Sequence, residues 1–553
     1  MARHILSVIL AFLTAAFGNI RAFFIDMVND YTFAVDTAVL GDRLPNVKNN
    51  INRFGGRFNE NPIINDEYNP YAFVDYIQLM ECSGGNAERD LFRNPNDFSV
   101  TDDYDFDPLI RSCRGILKTG AKPLLKMGNV PAKLSQKAIA AAGVDLGSFD
   151  VNIYPPDDYG AYYEYIKAVA QALVDEFGLS EVRSWRFGVM TEYENADWFT
   201  VPGGDAAQTA QAYCKLYDYT VQALIDVLGE NVFVGAHSMT CTEGLFDERI
   251  FIRHCATGTN YATGQTGSRL CYLAASYYET RPGDKGETKS IPEIMALLRG
   301  TAESVGLNDL IYGVDEGRIL CGVRAGKDED ALYSRTVGFT YQAAFDARLI
   351  KQMFDSGMDY FSSWEYCSLP DNHGNPLISY YVARHAADFE GARLADVKTA
   401  EKGHIPKADV NASAAFDEST GTLRIMAYNY KNNLTYHAHA QTTFAVNAPQ
   451  LADGEARVTA YVIDDDCNWF DEWDAQRKAL GFTDDKFGWS PDDGCPLFAD
   501  DDARRSYEAL TEQFAAYCRL TPQEYTVPVR GGRFTLTADL APHAVVFFEV
   551  NAE

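Results

Sequence analysis

Two glutamates carry the chemistry that the sequence offers most plainly. Glu192 follows the run Trp185-Arg-Phe-Gly-Val-Met-Thr, and Glu316 follows Ile311-Tyr-Gly-Val-Asp. Each stands at the end of an apolar stretch of strand length, the place where a barrel of parallel strands presents its reactive groups. Two carboxylates facing one cleft are what acetal cleavage requires. One, kept protonated by its surroundings, donates to the leaving oxygen, while the other attacks the anomeric carbon as oxocarbenium-like charge develops. A spacing of about 5 to 5.5 Å between them makes such an enzyme retaining. One glutamate at a strand end is more often a solvated charge or half of an ion pair; two at matching ends favour the catalytic reading.

Other side chains fall near the same rim. Lys126 ends a strand pattern and Arg318 follows Glu316, so either could pair with a substrate carboxylate, or serve as an internal counter-charge to the acidic rim. Trp364 could stack on a sugar ring, and Trp198 could form a leaving-group subsite. Glu194 is the rival acid, read as a rim charge. No metal site is expected: His237 and His254 lack ligand spacing, and His437-x-His439 has no evident third ligand.

These groups need elements to hold them. Strand-length apolar runs alternate with helical patterns at Ala22–Val28, Phe73–Glu81, Lys122–Gly128, Trp185–Glu192, Val232–Ser238, Leu270–Tyr278, Ile311–Gly317 and Asp359–Tyr366. Between them lie helices such as Tyr162–Gly178, with Ile166, Val169, Leu173 and Phe177 on one face. The pattern predicts an α/β protein whose catalytic domain is a closed (β/α)8 barrel over 19–395. An open doubly wound sheet is less favoured, because no GxGxxG follows any strand. After Asp396 the pattern changes to short alternating strands, which predicts a β-sandwich over 396–553. A Trp- and Asp-rich insertion at 467–518, carrying Trp469, Trp473 and Trp489, should pack back on the barrel or shape its mouth.

Composition narrows the partners. The 553 residues carry a formal charge of -30. Such a surface repels phosphate backbones and anionic lipid, which argues against nucleic acid and membrane partners. Aromatic residues reach 13%, and their faces suit sugar rings. The run Ile5–Phe17 after Arg3 and His4, with Ala16-Phe17-Gly18 behind it, has the pattern of a signal peptide over 1–18. Secretion or a periplasmic location follows from it, with a cytoplasmic protein as the alternative. The 11 cysteines lack CxxC pairs, so most should be small buried apolar residues and not a disulfide framework.

At this point the chain resembles glycoside hydrolase family 39, which holds β-xylosidases and α-L-iduronidases and places its acid/base on barrel strand four and its nucleophile on strand seven. Pro123-Leu-Leu-Lys-Met-Gly-Asn-Val-Pro131 resembles the third strand and Pro155-Pro-Asp-Asp-Tyr159 the approach to the fourth helix. Trp185–Phe199 resembles the acid/base segment, Val314-Asp-Glu316 the nucleophile strand and Asp359–Trp364 the eighth strand. Tyr461-Val-Ile-Asp464 and Gly532-Arg-Phe-Thr-Leu536 resemble the C-terminal sandwich. The resemblance implies a retaining glycoside hydrolase of oligo- or polysaccharides without a cofactor, with Glu192 as acid/base, Glu316 as nucleophile and Tyr278 orienting Glu316. Three departures stand out. Thr191 replaces the asparagine that precedes the acid/base, Ser276 replaces the histidine of the R-H-x-Y pattern, and Gln78-Leu-Met-Glu-Cys82 stands where R-G-H-G belongs. They imply a changed central subsite. The rival reading is a carbohydrate-binding protein on a retired hydrolase scaffold, and a purely structural acidic scaffold is a further one.

Overall fold

The computed structural model describes residues 29–53, 56–143, 150–279, 288–319, 338–364, 375–402, 408–433, 436–482 and 501–552. Short parallel strands close a barrel in the order β2 (Asn50–Arg53), β3 (Tyr76–Leu79), β4 (Lys122–Met127), β5 (Arg186–Val189), β6 (Phe233–Ser238), β7 (Tyr272–Glu279), β8 (Ile311–Ile319) and β9 (Tyr360–Trp364), with β9 pairing back onto β2. Helices cover its outside. One, Tyr159–Phe177, is capped by Asp158 and stops at Gly178, where φ is 83°. Its face of Ile166, Val169 and Leu173 is buried as the spacing requires, while Phe177 remains half-buried. Another, Ala206–Leu228, opens with a capping box between Asp205 and Gln208.

The first barrel strand is not the one expected. Ala22–Val28 lies outside the described residues, and Asn50-Ile-Asn-Arg53 takes the position, a segment that is polar but whose Asn50 and Asn52 are buried. A polar strand carries no apolar run for the eye to find. The N-terminal boundary of the barrel moves as well. Asn29–Arg43, expected inside the 19–395 domain, forms β1 of the other sheet, antiparallel to β10 (Arg393–Lys402) and parallel to β13 (Ala440–Asn447).

Among the described residues that second sheet has nine strands in the order β15-β14-β17-β12-β11-β10-β1-β13-β16, adding β11 (Asp409–Asp417), β12 (Thr422–Tyr430), β14 (Gly454–Ile463), β15 (Gln523–Val529), β16 (Arg533–Leu540) and β17 (Val545–Ala552). It is one continuous ladder where two separate sheets were expected. It curls so that one face meets itself: Phe444 on β13 stacks on Phe33 of β1 at 5.1 Å and touches Phe548 of the distant β17 at 5.5 Å. The other face supports the barrel through Tyr341–Tyr430, Phe389–Phe547 and the Arg348–Asp409 ion pair at 3.5 Å. From the insertion, Trp469 and Trp473 are buried against Tyr507 and Phe514, and the Trp469 indole donates to the Pro376 carbonyl at 2.7 Å; Trp489 lies outside the described residues. Among the described residues eight cysteines are free and all but Cys271 are buried, and no helix is long and apolar enough to cross a membrane.

Candidate active site

Inside the barrel the lower layer is aromatic. Tyr272 and Tyr360 fill it because Gly235 and Gly313 leave room; a Cβ at Gly313 would stand 2.2 Å from the Tyr360 ring. Above that layer the interior turns polar. Asp315 on β8 pairs with Lys126 on β4 at 2.6 Å and accepts from the Tyr360 hydroxyl at 2.7 Å. Its carbonyl accepts from Asn52 at 2.9 Å and from Gln78 at 3.1 Å, so strands β2, β3, β4 and β9 all converge on one aspartate.

Glu316 is the next residue, and strand alternation would turn it to the opposite face. A register shift between Ala275 and Ser276 on the neighbouring β7 relieves that constraint, so that Asp315 and Glu316 are both buried at the barrel top. Glu192 enters from the turn after β5, where Met190 and Glu192 both take left-handed backbone, with φ of 63° and 40°. Non-glycine residues pay about 1 kcal/mol or more for that conformation, and such strain concentrates at functional sites. The strand β7 then serves both acids from one face. Ser276 donates to Glu192 Oε1 at 2.5 Å, and Tyr278, two residues on, donates to Glu316 Oε1 at 2.5 Å. Asn195 donates to Glu192 Oε2 at 2.6 Å, and the Trp198 side chain adds a further hydrogen bond to the same carboxylate.

Carboxylate oxygens of Glu192 and Glu316 and a ring nitrogen of His237 all lie within 4.8 Å of one another, every one buried. Burial pushes the Glu316 carboxyl up to about 8, and the charge of Glu192 adds to the rise. Burial also raises Glu192, against the hydrogen bonds of Ser276 and Asn195 and the nearby ammonium of Lys126. Both shifts point the same way, toward a proton kept within the pair, which is what an acid and a base side by side require. His237 is held well below its ordinary value by burial and by Lys126, and is neutral. The three donors could surround a cation, yet the ring Nε2 of His237 is engaged by Ser276 at 3.0 Å and Lys126 sets a positive charge beside the carboxylates. The arrangement is an acid pair with polar supports.

Several expectations about individual residues change. Lys126 is buried and spent on Asp315, so it cannot greet a substrate carboxylate; burial lowers it, and the aspartate offsets that. Glu194 is not on the rim. It is fully buried, accepts from the Thr240 amide at 2.9 Å, and is pushed by burial up to about 8. Trp198 is buried against Val151, Ile153 and Tyr154 and stands beside Glu192, not open as a stacking platform. Thr191 is buried, its hydroxyl without a hydrogen-bond partner among the described residues. Tyr278 meets Glu316. The side chains of Arg318 and Trp364 lie outside the described residues. His439 pairs with Asp539 at 3.1 Å. Sequence reading weighed His237 only as a metal ligand and passed over Asn195 and Asp315 as site residues. For His237 the available signal was position, since it lies in the last part of a barrel strand.

The profile described as "Glycosyl hydrolases family 39" matches residues 90–422, more than half of the chain. A β-xylosidase of Caldicellulosiruptor saccharolyticus is 29% identical over 139 residues, 25% of this chain and 26% of that relative. One from Geobacillus stearothermophilus is 29% identical over 124 residues, 22% of each chain. The matched stretch therefore spans about a quarter of those relatives' length. Among solved structures, a bacterial orthologue of human α-L-iduronidase superposes with a TM-score of 0.62 at 13% identity, covering 95% of this chain and 84% of that one, a likeness of fold.

Proposed function

The chain belongs to glycoside hydrolase family 39, and from that premise we propose that it hydrolyses glycosidic bonds with retention, Glu316 attacking the anomeric carbon and Glu192 serving as acid and then base. The observation that carries this reading is that one oxygen of each carboxylate lies within 4.8 Å of the other, Glu316 reaching in from β8 and Glu192 from the turn after β5. Inverting enzymes hold the two groups about 6.5 to 9.5 Å apart with a water between them, so the close approach supports retention. The shared proton fits the first step. Glu192 delivers it to the departing oxygen while Tyr278 keeps the Glu316 oxygen aimed, and the emptied Glu192 then takes a proton from the incoming water.

The substrate class follows from the relatives' names. The matched relatives are β-xylosidases. Lys126, paired with Asp315, is not available to a substrate carboxylate, while the side chain of Arg318, the other candidate cation, lies outside the described residues. The relatives' names make a neutral β-xyloside the favoured reading. The test is incubation with 2,4-dinitrophenyl 2-deoxy-2-fluoro-β-xyloside followed by peptide mass mapping. One fluoroxylosyl adduct on the peptide holding Glu316, absent in Glu316→Gln, is the expected result. No adduct and no turnover of any aryl glycoside, with saccharide binding retained, would replace this reading by the retired-scaffold one.

A further inference from the structure

The hydrogen bonds on the far side of Glu192 lead to a residue with no assigned part. His237 on β6 is fully buried, and its Nε2 stands 3.0 Å from the Ser276 hydroxyl, which stands 2.5 Å from Glu192 Oε1. The other ring nitrogen, Nδ1, has no hydrogen-bond partner among the described residues. Those three contacts settle where the protons sit. A serine hydroxyl has one hydrogen, and a carboxylate oxygen can only accept it. With that hydrogen given to Glu192, the serine oxygen must accept from histidine, so Nε2 carries the ring proton. The alternative tautomer would leave an N–H buried at Nδ1 without a partner, which folded proteins rarely tolerate, whereas an idle lone pair costs less.

We propose that His237 is a positioning residue for Glu192, acting through Ser276: its neutral Nε2–H tautomer pins the serine hydroxyl so that it donates to Oε1 in both protonation states of the acid. This rests on Glu192 being the acid/base. Oε1 then stays an acceptor throughout, as Oε2 does toward Asn195, and the carboxyl that passes its proton to the substrate is held at both oxygens. A free serine hydroxyl would rotate among its rotamers and could equally accept from a protonated Glu192, turning the acid proton away from the substrate. The imidazole one strand away thus supplies, at second hand, the ring that Ser276 lacks.

Among the described residues, the titratable groups facing Glu192 are Glu316 from β8, Lys126 from β4, His237 from β6, Cys241 from the segment after β6, and Glu194 from its own segment. Removing the donor at Oε1 destabilises the carboxylate form of Glu192, so the basic limb of activity moves to higher pH.

The experiment compares kcat/KM against pH for wild type, His237→Phe, His237→Gln, Ser276→Ala and the His237→Phe/Ser276→Ala double variant on 4-nitrophenyl β-xyloside, with 15N NMR of the histidines in wild type. His237→Phe and Ser276→Ala should each lose about tenfold in kcat and move the basic limb upward together. His237→Gln keeps an N–H near the Nε2 position and should stay within about twofold of wild type, and the double variant should match Ser276→Ala alone. The NMR spectrum should show a neutral Nε2–H ring for His237 from pH 5 to 8. A wild-type profile in His237→Phe, losses that multiply in the double variant, or an Nδ1–H or imidazolium ring would each overturn the proposal. Lack of turnover by wild type is a separate result that overturns the hydrolase reading, and the tautomer measurement, which needs no substrate or variant, still decides the hydrogen-bond chain.

Discussion

The barrel top and the nine-stranded sheet are equally buried and oppositely built. The inner face of the sheet is closed by Phe33, Phe444, Phe548, Val458 and Leu536. The barrel top at the same degree of burial holds Lys126, Asp315, Glu192, Glu316, His237, Asn52 and Gln78. Burying ionised groups costs more than their pairing usually returns, so hydrophobic residues would serve stability better there. The sheet shows what this chain does when only stability is at stake. The barrel top shows what it tolerates to keep two carboxyl groups and several fixed donors buried together.

The largest effect expected from breaking this contrast is on rate. Glu316→Gln should lower kcat/KM on 4-nitrophenyl β-xyloside by at least about 10³-fold, while the protein stays folded. In the sheet the expectation inverts. Phe444→Ala should cost about 3–5 kcal/mol in urea unfolding through the cavity it leaves, with kcat of the folded fraction unchanged. A lost rate without lost stability would place Phe444 in the wrong class. Lys126→Met strands Asp315 as an uncompensated buried charge and should cost about 3–5 kcal/mol as well, but it should also shift the pH profile, because the ammonium favours the ionised form of both glutamates.

The smallest effect sharpens the comparison by pH. Glu194 has a folded value raised from 4.5 to about 8, so the stability it contributes is present below 4.5 and lost as pH rises through about 8. The protein should melt at progressively lower temperature from pH 5 to 8.5. Glu194→Gln should flatten that fall by about 2 °C or more, since glutamine stays neutral throughout. An unchanged slope would mean that Glu194 is ionised in the folded protein despite its burial.

Local pattern made much of the barrel legible. Strand-length apolar runs end at Glu192 and Glu316, and periodicity marks the helix that carries Ile166, Val169 and Leu173. Where polar residues face inward the pattern fails, because hydrophobicity then carries no information about burial. Asn50–Arg53 is such a strand, and Glu194 is such a side chain. The sheet strand Asn29–Arg43 shows a different failure: its apolar alternation is plain, but its partners lie at the other end of the chain.

By itself the sequence determined the kind of chemistry and the strand ends that bear it, because both depend on residues that are neighbours along the chain. Only the tertiary structure decided what each group does there. His237 and Ser276 are 39 residues apart, Ser276 and Glu192 84, and Lys126 meets Asp315 across the barrel. In a closed parallel barrel, side chains that face each other belong to strands separated by whole helices, so hydrogen bonding, charge pairing and proton affinity are settled by closure and not by spacing.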